Sequence, residues 1–277
     1  MAPMAVHSLI KYARAAQQAA LEAGALLVRH VGEPTRIDTK RSMIDLVTEI
    51  DRASELLIRR ILSRAFPSFG VLGEEHGHER EGAPYCWIVD PLDGTMNFVH
   101  GIPFFGVSIA LEHHGKPVVG VIHDPCRKEM FTAMRGRGAS VNGRRIGVSR
   151  TRLLEQSILS TGFSANFRTK PEPYLGWFRA FETRSHAVRR MGSTALCLAY
   201  VAAGRIEGFY EQDLWPWDIA AGILLVEEAG GLVTDFHRRP VTSKNRDIVA
   251  TNERIHADII RTLQARRGPR ASRPARR

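Results

Sequence analysis

Apolar residues recur at helical spacing near the start of the chain. In the Ala-rich segment from Leu9 to Leu27 they fall at positions 9, 13, 16, 20, 23 and 27, which predicts one long helix. Thr48-Glu49-Ile50-Asp51 has the form of a capping box and predicts the start of a second helix. The buried side of that helix is expected to carry Ile50, Ala53, Leu57 and Ile61.

Predicted strands follow in the middle of the chain. Phe104 to Leu111 and Val118 to Ile122 are separated by the turn His114-Gly115-Lys116, and Glu129 to Met134 is predicted to be a third strand. Asn142-Gly143 is a strong hairpin signal, because Asn and Gly tolerate the positive φ that a two-residue hairpin turn requires. Together these segments predict a meander.

The pattern changes near Ser149, where strands and helices alternate without an obvious linker. This change predicts two halves, 6–148 and 149–265, followed by a disordered tail over 266–277. The elements expected in the second half are strands over Ser157 to Thr161, Arg205 to Glu211, Leu232 to Thr234 and Ile248 to Ala250, and helices over Thr194 to Ala203 and Ile219 to Ala229.

Length and composition are those of an ordinary globular protein. The chain has 277 residues, of which 44% are hydrophobic and 25% charged, enough for one large core or two closely packed halves. No apolar run reaches membrane-spanning length, and the N-terminus lacks the pattern of a signal peptide. The cysteines Cys86, Cys126 and Cys197 are odd in number and form no CxxC pair. A cytoplasmic protein without membrane contact is expected.

The net charge of +10 is concentrated at the C-terminus. The segment from Arg266 to Arg277 holds six arginines and no acid, so the rest of the chain carries only +4. Such a tail is either a solvated end or an electrostatic contact with RNA or an acidic protein. The solvated end is favoured, because the tail contains no residues that would read a specific sequence.

Four carboxylates lie in two short stretches. Asp90 and Asp93 follow the hydrophobic strand Trp87-Ile88-Val89, and Glu74-Glu75 precedes it. Asp90 is expected at the end of the strand, because Pro91 bars a simple continuation, and Gly94 permits a tight turn that aims both Asp side chains at one spot. The Leu92 carbonyl would join them. Oxygen-only ligands of this kind suit a hard cation such as Mg2+.

Other acids of the chain, and the Glu74-Glu75 pair, have ordinary structural explanations when each is considered alone. Asp218 precedes a predicted helix and would serve as its N-cap, Asp51 fits the capping box, and Glu74-Glu75 would be a solvated turn. Asp90 and Asp93 together are harder to explain in this way, because a cation best relieves the repulsion between adjacent carboxylates.

Three motifs resemble the signatures of the inositol monophosphatases, which are Mg2+-dependent, lithium-sensitive phosphomonoesterases. They are Gly73-Glu74-Glu75, the stretch from Trp87 to Phe98 and the stretch from Trp217 to Gly222. The resemblance extends from about Leu9 to Leu263. It implies a layered αβαβα sandwich of α/β class, a homodimer and a small phosphorylated polyol as substrate.

The resemblance also assigns roles to the acids. Glu74, Asp90 and the Leu92 carbonyl would hold one Mg2+, and Asp90, Asp93 and Asp218 would hold a second. A third, weaker ion would share Glu74, which is therefore also counted as catalytic. Thr95 and its partner acid Asp51 would position the attacking water, and the Gly94 and Thr95 amides would bind a phosphate oxygen.

Substrate choice rests on fewer residues. Glu211 matches the family residue that binds a substrate hydroxyl, and Ser193-Thr194-Ala195 matches the segment that lines the sugar pocket. Ser193 would otherwise be an N-cap and Glu211 an exposed strand acid. Relatives acting on histidinol phosphate, fructose bisphosphate or adenosine 3′,5′-bisphosphate share the metal motifs. The competing hypothesis is a regulatory protein that contacts RNA or the transcription machinery through the basic tail.

Overall fold

The computed structural model describes residues 6–33, 37–39 and 46–265. The predicted disordered tail over 266–277 therefore lies outside the described residues. The elements up to residue 148 are α1 (Val6–His30), β1 (Ile37–Thr39), β2 (Leu46–Thr48), α2 (Glu49–Ala65), β3 (Gly70–Gly73), β4 (Gly77–Glu79), β5 (Tyr85–Asp93), α3 (Thr95–Val99), β6 (Gly106–His113), β7 (Lys116–Asp124), β8 (Glu129–Met134), β9 (Gly138–Val141) and β10 (Arg144–Ile146).

Strands and helices mostly alternate in the remainder of the chain. They are β11 (Ile158–Thr161), α4 (Tyr174–Glu182), β12 (Ala187–Arg189), α5 (Thr194–Ala202), β13 (Gly208–Gln212), α6 (Pro216–Glu228), β14 (Leu232–Thr234), β15 (Asp247–Thr251) and α7 (His256–Ala265).

Two large sheets organise these elements. The first has eight strands in the order β10-β9-β8-β7-β6-β5-β3-β4 and is antiparallel except where β3 runs parallel to β5. The second has five strands in the order β12-β11-β13-β15-β14, with β11 parallel to both of its neighbours. Both sheets are therefore mixed.

Helices cover both sheets and separate them, which gives the predicted αβαβα layering. Helices α1 and α2 pack on one face of the eight-stranded sheet, and α5 and α6 fill the space between the sheets. Helices α4 and α7 cover the outer face of the five-stranded sheet. The central layer draws residues from both sides of Ser149, so the two predicted halves share one hydrophobic core.

Among the residues that the structure describes, no helix has the length and apolar composition that a membrane span requires.

The predicted helices and strands are present, with ends that differ by at most three residues. The Asn142-Gly143 hairpin is confirmed, because both residues have positive φ and join β9 to β10. The predicted buried side of α2 is only partly confirmed beyond Ile50, because Ala53 is exposed and Leu57 and Ile61 are half-buried. Ile58 and Leu62 are the fully buried apolar residues. The helix turns a partly polar side inward, which apolar periodicity does not show.

His256, at the start of α7, makes folding sensitive to acid. Its side chain is buried, with Nε2 2.8 Å from Thr234 Oγ1 and Nδ1 3.0 Å from Thr251 Oγ1. Burial, helped by the charge of Arg238, lowers the pKa of His256 to about 4. The unfolded chain therefore binds this proton more readily than the folded protein between pH 6.5 and 4.

We accordingly expect stability to be complete above pH 6.5 and to fall as the pH drops through that window. The expected loss from this residue is on the order of 2 kcal/mol at pH 5. Urea unfolding at pH 7.5 and pH 5 should give a smaller loss for His256→Gln, which titrates no group at this position. Equal losses in wild type and variant would contradict the prediction.

Candidate active site

The end of β5 brings Asp90 and Asp93 to the same edge of the large sheet. The sequence predicted that the strand ends at Asp90. In the structure it continues to Asp93, through an irregularity in its pairing with β6. Asp90 pairs with Ser108 and Asp93 with Gly106, so the bulge accommodates Pro91, which has no N–H to donate. Both carboxylates are buried, and Asp90 Oδ1 accepts a hydrogen bond from Leu92 N at 3.1 Å.

Asp93 is held by the N-terminus of α5. Its carboxylate accepts hydrogen bonds from Ala195 N at 2.7 Å, from Thr194 N at 3.2 Å and from the Ser193 hydroxyl. Ser193 is also the N-cap of α5, since its Oγ accepts from Leu196 N at 3.2 Å. Burial raises the pKa of Asp93 to about 6, and the bonds from Ser193 and Ala195 oppose that rise. A polar contact thus joins residues about one hundred positions apart.

Thr95 and Asp51 are in contact, as the resemblance implies. Thr95 Oγ1 lies 3.1 Å from Asp51 Oδ1 and 3.1 Å from the Leu92 carbonyl oxygen. Asp51 is buried and its other oxygen accepts from Thr48 N at 2.8 Å and Thr48 Oγ1 at 2.6 Å. The capping box of α2 therefore fixes the carboxylate that Thr95 contacts.

Gly94 makes the turn that precedes Thr95 possible. Its φ is +97°, and a Cβ at this position would lie 3.1 Å from both the Gly192 and Phe104 carbonyl oxygens. α3 begins at the next residue, as the sequence predicts for the Gly94 and Thr95 amides. The assignment of these amides to a phosphate oxygen stays a prediction.

Asp218 lies at the third position of α6 and not at its N-cap, which is Trp215. Pro216 occupies the first helical turn, so Asp218 reaches back and its Oδ2 accepts from Trp215 N at 2.7 Å. Burial raises the pKa of Asp218 well above its usual value, and the charges of Glu74, Asp93 and Glu211 raise it further. Acids from β5, β13, α6 and the turn between β3 and β4 therefore interact electrostatically with one another.

A cavity of about 430 Å³ is lined by two of these acids, Asp93 and Glu211. Glu211 faces it from β13, so it is not an exposed strand acid, and its Oε2 accepts from Thr194 Oγ1 at 3.1 Å. A Cβ on Gly162 would lie 2.0 Å from Glu211 Oε1, so only glycine leaves room for this carboxylate. Burial raises the pKa of Glu211 to about 8, opposed by the bond from Thr194.

The structure places the remaining substrate residues predicted from the sequence in two ways. Ser193, Thr194 and Glu211 line the cavity, next to the predicted metal ligand Asp93. The Ala195 methyl group is buried in the core, and its amide binds Asp93, so any substrate contact would involve its backbone.

The outer wall of the cavity contains residues that the sequence did not single out. The Arg190 guanidinium lies 4.0 Å from the centre of the Phe163 ring, and both residues line the cavity. Asp213 Oδ2 holds the adjoining segment by accepting from Ser164 Oγ and Tyr174 OH, each at 2.7 Å. No local motif marks these residues, because Phe163 follows β11 and Arg190 follows β12, and the parallel pairing of these two strands brings them together.

The donor chemistry of the site fits Mg2+. Glu74, Asp90, Asp93 and Asp218 offer only oxygen atoms, and a cation would relieve the repulsion that raises the pKa of Asp218. Within the described ranges no three His, Cys, Asp or Glu side chains are already gathered as a metal ligand set. The Asp93 and Asp218 oxygens instead accept the protein hydrogen bonds described above.

Two mixed sheets in an αβαβα arrangement, with this carboxylate site between them, define an α/β fold of the inositol-monophosphatase type. The chain belongs to the inositol monophosphatase family, whose family model matches residues 9–267.

Individual relatives agree with this family and carry two kinds of name. The Nus factor SuhB of Pseudomonas aeruginosa is 44% identical, over 90% of this chain and 94% of that protein. The inositol-1-monophosphatase of Mesorhizobium japonicum is 43% identical, over 89% of this chain and 94% of that protein. The crystal structure of the extragenic suppressor protein SuhB from Bartonella henselae superimposes with a TM-score of 0.86 at 45% identity, covering 92% of this chain and 98% of that one.

Proposed function

We propose that this protein is a Mg2+-dependent phosphomonoesterase that hydrolyses myo-inositol monophosphate or a similar polyol phosphate. The proposal is carried by two observations: Asp93 and Glu211 line one cavity, and the charges of Glu74, Asp93 and Glu211 all act on Asp218. A phosphate ester carries negative charge, so a site lined by acids suits it only if cations bind there as well. Two to three Mg2+ ions are proposed, with the lithium sensitivity that the family resemblance implies.

Mg2+ bound to these acids would neutralise phosphate charge, generate a nucleophilic hydroxide and stabilise the leaving alkoxide. The residues around the acids orient the reacting groups. Thr95 directs its hydroxyl proton toward Asp51 or the Leu92 carbonyl oxygen, so the lone pairs of Thr95 Oγ1 remain available to accept a hydrogen bond from the attacking water. Because Asp51 is buried and fixed by Thr48, the orientation of the Thr95 hydroxyl is set before the substrate binds.

Glu211 and Thr194 would bind the polyol. Both line the cavity, and neither is one of the proposed metal ligands. A cavity of about 430 Å³ holds a six-membered polyol ring with its phosphate. The direct test is phosphate release with Mg2+ from inositol 1-phosphate, compared with histidinol phosphate, fructose bisphosphate and adenosine 3′,5′-bisphosphate.

Glu211→Gln should separate substrate recognition from chemistry. The change keeps the shape of the side chain. It removes the negative charge that bound cations would favour on Glu211, and with that charge the charge-assisted hydrogen bond to a substrate hydroxyl. We expect kcat/KM for inositol 1-phosphate to fall by an amount equivalent to roughly 1.5–3 kcal/mol. An aryl phosphate without those hydroxyls should be hydrolysed almost as before. If both substrates suffer equally, Glu211 acts on structure or on the metal site.

A second candidate function is a role in transcription, because a relative that is 44% identical is named a Nus factor. We propose that such a role would involve contacts with RNA or the transcription machinery, with the Arg-rich segment from Arg266 as one contact. RNA retention in a mobility-shift assay should then be lost when the chain is ended at Ala265, while phosphatase activity is kept. A cytoplasmic location and a homodimer are also proposed, the latter to be tested by light scattering.

A further inference from the structure

Helix α2 buries polar side chains on the side that faces the candidate site. Asp51, Ser54, Glu55 and Arg59 are all buried on this helix. Burial of such groups lowers stability unless each finds a partner, so their presence needs an explanation. Asp51 is explained by its contact with the Thr95 hydroxyl. Ser54 Oγ donates to the Pro91 carbonyl oxygen at 3.0 Å, which leaves Glu55 and Arg59 to be explained.

Glu55 binds the turn between β3 and β4. Its carboxylate has no exposed surface, and its Oε2 accepts from Glu75 N at 2.7 Å. Its Oε1 accepts from His76 N at 3.1 Å and from Arg59 Nε at 2.7 Å. Two consecutive main-chain amides of the turn and one guanidinium therefore satisfy this carboxylate, as a buried charge requires.

The Glu55–Arg59 pair contacts both ends of the turn. Arg59 Nη2 donates to the Gly77 carbonyl oxygen at 2.5 Å, at the start of β4. At the end of β3, a Cβ on Gly73 would lie 2.2 Å from Glu55 Oε1. Glycine at position 73 is thus a condition for the carboxylate to reach the Glu75 and His76 amides.

Glu74 lies within this turn, next to the amides that Glu55 holds. Its amide donates to the Val89 carbonyl oxygen at 3.2 Å, which ties the turn to β5, and its charge acts on Asp218. The backbone of Glu74 is therefore fixed from two sides, by β5 and by Glu55. A ligand whose backbone is fixed binds a metal ion with less loss of conformational freedom.

We propose that Glu55 is a positioning residue for Mg2+ binding, acting through the Gly73–Gly77 turn on the carboxylate of Glu74. The inference rests on the proposed function, because Glu74 is a ligand only in that proposal. The simpler alternative is that Glu55 and Arg59 form an i,i+4 ion pair that only stabilises α2. The two roles differ in one observable, because a stabilising pair alone leaves the affinity of the folded protein for Mg2+ unchanged.

The test is Mg2+ binding by isothermal titration calorimetry on the full chain without substrate, in wild type and Glu55→Gln. Glutamine has one acceptor oxygen, and its NH2 group would face an N–H donor, so at least one turn amide loses its partner. We expect Mg2+ affinity to fall about 10-fold, as is typical when an outer-shell partner is lost. The KM for inositol 1-phosphate at saturating Mg2+ should change less than about twofold, because Glu55 contacts no group proposed to bind the polyol.

Two further variants make the test selective. Glu49→Gln is the matched control, since Glu49 is exposed on the same helix and its substitution should leave Mg2+ affinity unchanged. Gly73→Ala keeps the Glu55 charge but displaces the carboxylate from the turn, so it should also weaken Mg2+ binding, and it serves as the test if Glu55→Gln does not fold.

Wild-type affinity in both Glu55→Gln and Gly73→Ala, with reduced thermal stability, would overturn the positioning role and leave the proposed function intact. A wild-type protein that binds no Mg2+ and releases no phosphate would overturn the proposed function, and this inference with it.

Discussion

Asp93→Asn is expected to lower kcat by roughly 100-fold to 1,000-fold with the fold retained, because bound metal supplies several kcal/mol of transition-state stabilisation. The substitution removes one anionic ligand without changing the size of the side chain. The structure explains why the variant should fold. With its oxygen in the place of Oδ2, an Asn side chain can still accept from Ala195 N and from the Ser193 hydroxyl. Only the longer bond from Thr194 N to Oδ1 is lost.

Steady-state kinetics with Mg2+ and thermal unfolding should be measured on the same preparation. Asp124→Asn is a suitable control, because Asp124 is also buried and lies outside the cavity, where it binds Arg127. This control should lose stability without a comparable loss of kcat. A folded Asp93→Asn protein with full activity would contradict the assignment of Asp93 to the metal site.

Thr95→Val is expected to have the second largest effect, lowering kcat by about 100-fold. Valine has nearly the same shape as threonine but cannot accept a hydrogen bond from the attacking water or donate one to Asp51. Mg2+ affinity should be almost unchanged, since the Thr95 side chain is not a proposed ligand, so the loss should appear in kcat and not in the Mg2+ dependence.

Thr95→Ser provides the matched comparison, because it restores the hydroxyl within reach of Asp51 Oδ1, 3.1 Å away in the native contact. Activity should return to within about tenfold of wild type. If serine and valine variants are equally impaired, the hydroxyl is not the group that matters, and Thr95 contributes through packing at the start of α3.

The sequence was a good guide to local structure wherever the pattern is long. The helical spacing from Leu9 to Leu27 extends over enough residues to show its period, and the predicted helix is confirmed. The strands β6 to β8, predicted on either side of the His114-Gly115-Lys116 turn and beyond, are confirmed as well. Shorter elements were missed. Strands β3, β4 and β12 have three or four residues each, too few to distinguish a period of 2.0 from one of 3.6. Helices α4 and α7 were also not predicted.

Predictions that depend on which side of an element faces inward were less successful. α2 was expected to bury Ala53, Leu57 and Ile61, but Ala53 is exposed and the other two are only half-buried. The helix fully buries Asp51 and Glu55, because they bind polar groups of the neighbouring turns. The bias is systematic: apolar periodicity assigns polar residues to solvent, and it fails where a helix holds a polar site.

The sequence by itself determined the family-like motifs, the acids within them, and the local devices that position some of these acids, such as the Thr48–Asp51 capping box and the Gly94 turn. Each of these depends on residues within a few positions of one another, which is the range that sequence patterns encode. Only the tertiary structure decided that Asp93 accepts from the α5 N-terminus, that Asp218 meets the charge of Glu74, and that Glu55 holds the Gly73–Gly77 turn. Those contacts depend on strand order, on the parallel pairing of β3 with β5 and on the packing of α5 and α6 between two sheets. Such relations are set by burial of the whole core, and no local pattern specifies them.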